Sequence, residues 1–241
     1  MSKSEPTPTP YGDAYDILHD LGWPVLWLPP AAKLPPPEGF TGYDGIDASY
    51  ADLTAWADRP DGNVAVRMLD YTVGVDVDNY DGKPGAATLA ECEAKWGALP
   101  NAFMTSSRDD GISGIRWCRV PPGTRLIHAL PGIELVQRHH RYIVAPGSIH
   151  PEGRVYRGHY DGEPHGGVCK TCDTPPRPDQ LPELPQAWLD GLRAPERIAP
   201  ADVDAAEAGG IVAQARTAGQ PDVTVEALLR DALNNLKAGA A

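Results

Sequence analysis

Residues 73–79, Val-Gly-Val-Asp-Val-Asp-Asn, constrain this chain more than any other stretch. Successive side chains of a strand point to opposite faces, so Val75 and Val77 share one face while Asp76 and Asp78 share the other. A sheet holding such a strand buries one side and presents two carboxylates on the other, at the strand end. Carboxylates that close repel, and each binds its proton more tightly unless a cation lies between them. Hard divalent ions such as Mg²⁺ and Mn²⁺ take oxygen ligands of this kind and retain waters and substrate phosphates. Two such ions can clamp the attacking and leaving oxygens of a phosphoryl transfer. The alternative is a strand-end pair that faces solvent before the turn Asn79–Gly82. An EF-hand is poorly supported, because no Glu stands at the twelfth position of a loop begun at Asp76 or Asp78.

Charge narrows the classes further. The 241 residues carry 33 acidic and 21 basic side chains, a formal charge of -12, which speaks at first against a polyanionic partner. The charge is unevenly placed. Residues 1–100 hold 6 basic and 16 acidic groups, residues 101–160 hold 8 and 4, and six of the seven His fall between His128 and His165. The middle of the chain is a basic, His-rich island. A hydrophobic content of 41% argues against wholesale disorder. No apolar run approaches about 18 residues and no signal-peptide pattern opens the chain, so no membrane partner is expected. Four Cys without a secretory context argue against a disulfide scaffold, and a cytoplasmic protein is the expectation.

Residues 1–10 are polar and Pro-rich and are expected to form a disordered tail. Ile17, Leu18 and Leu21 predict a helix over 14–21, ended by Gly22. Residues 23–28 read as a buried strand, 29–47 as a Pro- and Gly-rich loop, and Ser49 as the cap of a short helix through Trp56. Residues 64–69 and 72–78, split by Asp70-Tyr71, predict an antiparallel hairpin. A helix over 86–96 follows, then strands at 103–106, 115–120, 133–137, 142–145 and 155–160. Leu184, Trp188 and Leu192 share one face of a further helix. Residues 11–192 form the expected catalytic domain, 193–220 a linker, and 221–241 a C-terminal helical tail. Helices first and strands after, with hairpin turns, define an α+β fold with a mainly antiparallel sheet.

Four further clusters carry chemistry. Glu134 stands in the apolar strand Ile133-Glu-Leu-Val136, where an unpaired carboxylate is expensive. Its partner is either a neighbouring Arg or the cation at Asp76 and Asp78. The run Arg138-His-His-Arg-Tyr142, followed by Ser148 and His150, offers donors of the kind a triphosphate requires, with His140 and Arg141 foremost. Thr105–Arg116 contains Arg108, Ser113 and Arg116. It reads as a polar connection whose backbone N–H groups could also cradle phosphate, but it lacks the Walker ending and any G-x-G-x-x-G. Within loop 159–173, His165, Cys169 and Cys172 could supply three ligands of a structural zinc site, or be ordinary exposed loop residues. Cys92 and Cys118 read as core.

Taken in order, Gly22-Trp-Pro-Val-Leu26 with Lys33 and Pro35, the strand before Asp76-Val-Asp78, the Ser/Gly loop, Ile133-Glu134 and Ala145-Pro-Gly-Ser-Ile-His-Pro-Glu-Gly153 resemble one pattern. It is the primase–polymerase (Prim-Pol) branch of the archaeo-eukaryotic primase superfamily. The chain is most similar to the N-terminal bifunctional DNA primase/polymerase domain of plasmid, phage and actinobacterial replication proteins, over about Tyr15 to Tyr160. The resemblance implies an α/β unit joined to an RRM-like unit with the site in the cleft between them. It makes Asp76 and Asp78 the first acidic motif and Glu134 the third, together holding two Mg²⁺ or Mn²⁺ ions. The chain departs from the pattern at the middle motif, where Ile115 takes the place of the nucleotide-binding His; Ser113 and Arg116 remain there. Some members carry a Cys/His zinc-binding insert.

The expected activity is metal-dependent nucleotidyl transfer by a DNA primase/polymerase acting on nucleoside triphosphates and single-stranded or primed DNA, with a replicative helicase in trans as a further partner. The alternatives are a catalytically degenerate domain that binds nucleotide or nucleic acid, and a metal-dependent phosphohydrolase or nuclease using the same carboxylates. Without an extended basic surface, template binding is expected to be weak and salt-sensitive.

Overall fold

The computed structural model describes residues 8–127, 129–160 and 173–193, all within the unit formed by the first 194 residues. The expected linker and C-terminal helix, and His165, Cys169 and Cys172, lie outside the described residues.

The chain opens with α1 (Pro10–Asp20), β1 (Val25–Leu28) and α2 (Tyr50–Trp56), followed by β2 (Asn63–Val66), β3 (Thr72–Val77) and α3 (Gly85–Trp96). Strands β4 (Phe103–Ser106), β5 (Gly114–Arg119), β6 (Ala129–Leu130), β7 (Ile133–Val136), β8 (Ile143–Val144) and β9 (Arg157–Tyr160) come next. A short 3₁₀ turn (Pro178–Gln180) and α4 (Gln186–Leu192) complete the described fold. The strands form a three-stranded sheet of order β1-β2-β8 and a six-stranded sheet of order β6-β7-β3-β5-β4-β9, with every strand pairing antiparallel. The α+β expectation holds, and both sheets are antiparallel.

Local signals set most boundaries. Ser49 caps α2 by accepting from the Asp52 amide, while the Asp52 carboxylate accepts from the Ser49 amide, so two orphan donors of the first turn are satisfied reciprocally. The first helix starts earlier than its apolar spacing predicts. Pro10 suits its first turn, and the buried Tyr11 donates its hydroxyl to the Leu53 carbonyl, which draws Pro10 out of the expected tail.

The expected hairpin between residues 64–69 and 72–78 does not form: β2 belongs to the small sheet and β3 to the large one. The connection is longer than two residues, and buried Arg67 anchors it. The guanidinium donates to the carbonyls of Gly42, Gly45 and Arg138, so the chain leaves β2 before it can turn back. The two sheets stack instead, with Trp23, Met68, Trp117 and Ile143 in one apolar cluster between them. On the far face of the large sheet, Val73, Val75, Val77, Leu135 and Cys118 pack under α3 and α4 with Trp188, Leu189 and Cys92.

Candidate active site

The pleat of the large sheet builds the site row by row. Gly74 lies across from Val136 on one side and Trp117 on the other, an apolar row under the small sheet. Gly74 is required there, since a side-chain carbon would come within 2.7 Å of Ile115 and 2.9 Å of Ile143. One pleat further along the same face, Asp76 lies directly across from Glu134 on β7 and from Ile115 on β5, and Ile115 lies across from Thr105 on β4. This row opens into a cleft of about 450 Å³. Asp78 follows just past the end of β3, where its amide donates to the Gly132 carbonyl and its own carbonyl accepts from Gly85 at the start of α3.

Three carboxylates thus share one cleft wall, and the electrostatics register it. Asp76 is pushed up to about 7, first by burial and then by the neighbouring charge of Asp78, with Glu134 adding to the effect and Arg141 and Lys33 opposing it. Lys83 Nζ sits 2.5 Å from Asp78 Oδ2, and the Asp78 contact pulls the Lys83 ammonium above its ordinary value. Glu134 is held by Arg141 and, at 2.9 Å, by His140 Nε2. Arg141 takes a left-handed backbone conformation, φ 67°, unusual for a side chain of its size. That turn returns its guanidinium to Glu134.

Cations border the same cleft. Lys33 and Arg108 border the cleft, and no hydrogen bond or ion pair within the described residues occupies either charged head. Arg108 instead stacks its guanidinium 3.3 Å over the Tyr80 ring. Burial lowers Lys33, partly offset by Asp76 and Asp78, and its backbone carbonyl is fixed by the Tyr142 hydroxyl at 2.5 Å. His150 borders the same space, lowered by burial and by Lys33. Thr105 Oγ1, in the row of Asp76, is buried without a hydrogen-bond partner.

Among the described residues no three His, Cys, Asp or Glu groups converge closely enough to hold a metal ion. The donor set nonetheless suits a hard divalent cation: all three carboxylates supply oxygen, and their mutual repulsion favours a cation. Lys83 and Arg141 now hold the outer carboxylates. Both are about half exposed, at 47% and 51%, so the contacts are weak enough to exchange for a bound ion and its phosphates.

The cleft gathers Asp76, Asp78, Glu134, Arg108, Ser113, Arg141 and His150 from the residues the sequence singled out, and His140 touches it through Glu134. Two others lie elsewhere. Arg116 stands across from Val75, on the face that packs under α3 and α4, and donates to the Ile112 carbonyl. Ser148 is buried and bridges both backbone groups of Val64, stitching the loop before His150 to β2. At its end the 107–113 loop is a polar connection, the first of the two roles its sequence suggested, rather than a phosphate cradle. The amides of Ile112 and Ser113 donate to Asp110, and the Ser113 hydroxyl ties Asp110 to the amide of Asn79. Sequence reasoning did not place Lys33, Tyr80, Lys83 or Thr105 in the site. The last three carried no signal beyond their proximity to other motifs; Lys33 stood in the N-terminal pattern without an assigned role.

An antiparallel α+β core with acidic side chains at the end of a central strand, in a cleft that cations also border, is the arrangement that the resemblance to a primase-type nucleic-acid enzyme implies. The family model for the N-terminal domain of bifunctional DNA primase/polymerase, Prim-Pol, matches residues 14–187, and the chain belongs to that family. At the level of the family it is a DNA primase/polymerase-type nucleotidyltransferase of replication. A comparison with curated proteins returns no match.

Proposed function

We propose that this protein catalyses metal-dependent nucleotidyl transfer, extending or initiating a DNA strand on a single-stranded or primed template. The observation that carries the reading is the row in which Glu134 and Asp76 face each other, with Asp78 one pleat on, in a cleft that Lys33 and Arg108 also border. Asp76, Asp78 and Glu134 would hold Mg²⁺ or Mn²⁺, two ions in the full reading. Such ions supply charge neutralisation at the transferring phosphoryl group and at the attacking primer 3′ oxygen. Lys33, Arg108, Arg141 and His150 would hold the triphosphate from the other side, where fixed positive charge is worth most as negative charge develops. No protein nucleophile is required, because the primer 3′ hydroxyl attacks. Phage or plasmid replication, a helicase partner in trans and a cytoplasmic setting accord with this reading; no helix of the described residues is long and apolar enough to cross a membrane. Zinc at His165, Cys169 and Cys172 is a separate proposal, tested by metal analysis of the purified protein; a stoichiometry near zero refutes it.

A second reading has one observation in its favour. Ile115 lies across from Asp76, in the place where the Prim-Pol resemblance expects a nucleotide-binding His, and its sec-butyl side chain offers phosphate no hydrogen bond. A degenerate domain would bind nucleotide without turnover. Incubation with a primed template, labelled dNTPs and Mg²⁺ or Mn²⁺, beside Asp76→Ala, separates the cases. Extension lost in the variant supports transfer, binding without extension supports the degenerate domain, and shortening of the substrate supports a nuclease.

A further inference from the structure

A second cavity lies at the other end of the strands that carry the carboxylates. It measures about 210 Å³ and is bordered by Thr72 and Val73 at the start of β3, by Arg125 and Arg138, and by Tyr43 and His139. Tyr43 and His139 stack with ring centres 4.4 Å apart and 16° from parallel, and Tyr43 remains 64% exposed, so an aromatic face is presented to solvent ready-made. Leu34 and Ile46, from the same 29–47 loop, are exposed to a similar degree, at 69% and 65%.

Charge adds to the aromatic platform. Arg125 is exposed and has no ion pair within the described residues. Arg138 pairs with Asp47 at 3.0 Å, but the same carboxylate also serves Arg67 at 3.5 Å, so one acid is shared by two guanidiniums. Among the described residues Arg67, Arg125 and Arg138 border the cavity with Asp70 as its carboxylate. Asp47 pairs with two of these Arg, and exposed Asp44 follows Tyr43, so the available positive charge rests on the exposed guanidinium of Arg125.

One turn joins this cavity to the active-site cleft. Gln137 and His140 pair across it. Arg138 and His139 on its outward limb border the cavity, and His140 and Arg141 on its return limb grip Glu134. Gln137, the residue after β7, lies three residues from Glu134, about 10 Å of extended chain, or roughly three stacked nucleotides.

We propose that this cavity and the Tyr43–His139 face form a binding site for single-stranded nucleic acid, the strand continuing along the 138–141 turn toward the carboxylates. Bases stack on aromatic rings whatever their sequence, and arginine beside the ring tracks the backbone, which is how single strands are held without sequence preference. The cavity admits an unpaired base and is too small for a duplex. The inference rests on the nucleic-acid-enzyme reading for the identity of its occupant.

Fluorescence anisotropy of the full chain with a labelled oligo-dT, without nucleotide or turnover, tests it. Tyr43→Ala weakens binding about tenfold, while Tyr43→Phe, which keeps the ring, retains it. Arg125→Ala, at an exposed position, lowers the slope of log affinity against log salt by about 1. Triphosphate binding, followed by titration of dNTP, stays unchanged in both. Unchanged oligonucleotide affinity in Tyr43→Ala and Arg125→Ala, or no binding by the parent chain, overturns the proposal. Incorporation by a chain whose oligonucleotide binding ignores both substitutions overturns this inference alone. Tyr43-dependent binding without incorporation overturns the polymerase reading alone.

Discussion

Glu134 on β7 stands directly across the ladder from Asp76 on β3, so backbone pairing, rather than side-chain conformation, fixes two carboxylates on the same face of the sheet. Directly opposite like charges destabilise a sheet. Arg141 and His140 offset that cost at Glu134 in the absence of a bound ion, while Asp76 binds its proton more tightly.

The pH dependence follows from that tension. The folded value of Asp76, about 7, lies above its ordinary 3.8, so the folded chain binds this proton more tightly than the unfolded one. The group's relative contribution is fully present below the ordinary value and is lost as pH rises through about 7. In chelator, the melting temperature is expected to fall between about pH 5 and pH 8, and Asp76→Asn flattens that fall. Added Mg²⁺ or Mn²⁺ raises the melting temperature more at the alkaline end, where the carboxylate is already ionised. A metal effect independent of pH refutes the assignment.

Lys33→Gln removes a cation that faces the carboxylates without an ion pair of its own. A charge-assisted hydrogen bond of about 1.5–3 kcal/mol corresponds to roughly 10- to 100-fold weaker triphosphate binding. Titration of dNTP in the presence of the divalent ion measures it. Lys33→Arg, retaining the charge, recovers part of the loss; equal binding by the parent chain and Lys33→Gln excludes the contact.

Gly85 lets the start of α3 approach the end of β3 and the β6–β7 turn at once. A side-chain carbon there would meet the Asp78 carbonyl at 2.3 Å and the Gly132 carbonyl at 2.9 Å, and neither is a flexible tip. Gly85→Ala is expected to cost about 1–3 kcal/mol in denaturant unfolding and to displace Asp78, weakening divalent-ion binding in parallel. A variant with parental stability would show that α3 can shift freely.

Ile115→His places a donor across from Asp76, on the wall where phosphate would lie. If Ile115 limits nucleotide handling, the substitution tightens dNTP binding several-fold and raises incorporation, since a single positioned donor or acid typically contributes a factor of about 10² or more. Weaker binding would mean that Ile115 contributes packing against Trp117 and its neighbours instead.

The carboxylates were legible because strand alternation is a local rule: Asp76 and Asp78 share a face whatever the strand pairs with, and Val75 and Val77 must find a core. Glu134 was legible as an anomaly, a charge in an apolar strand, and a neighbouring Arg was one of its two expected partners; that Arg141 takes the role, with His140 beside it, was not legible. Arg116 and Ser148 show the converse. Both have the chemistry of phosphate ligands, yet strand parity sends Arg116 to the helix-covered face, and the Val64 backbone, where β2 runs beyond its pairing with β8, takes the Ser148 hydroxyl.

The sequence by itself determined the α+β class, most element positions, the cap at Ser49 and the acidic strand, because propensity, capping and period act over a few neighbouring residues. Only the tertiary structure decided that β2 and β3 part into separate sheets around buried Arg67. It alone brought Glu134 across from Asp76 and carried Lys33 to the cleft they line. Those outcomes depend on contacts between residues dozens of positions apart. Their cost and gain are set by which surfaces can be buried together, and no local pattern records that.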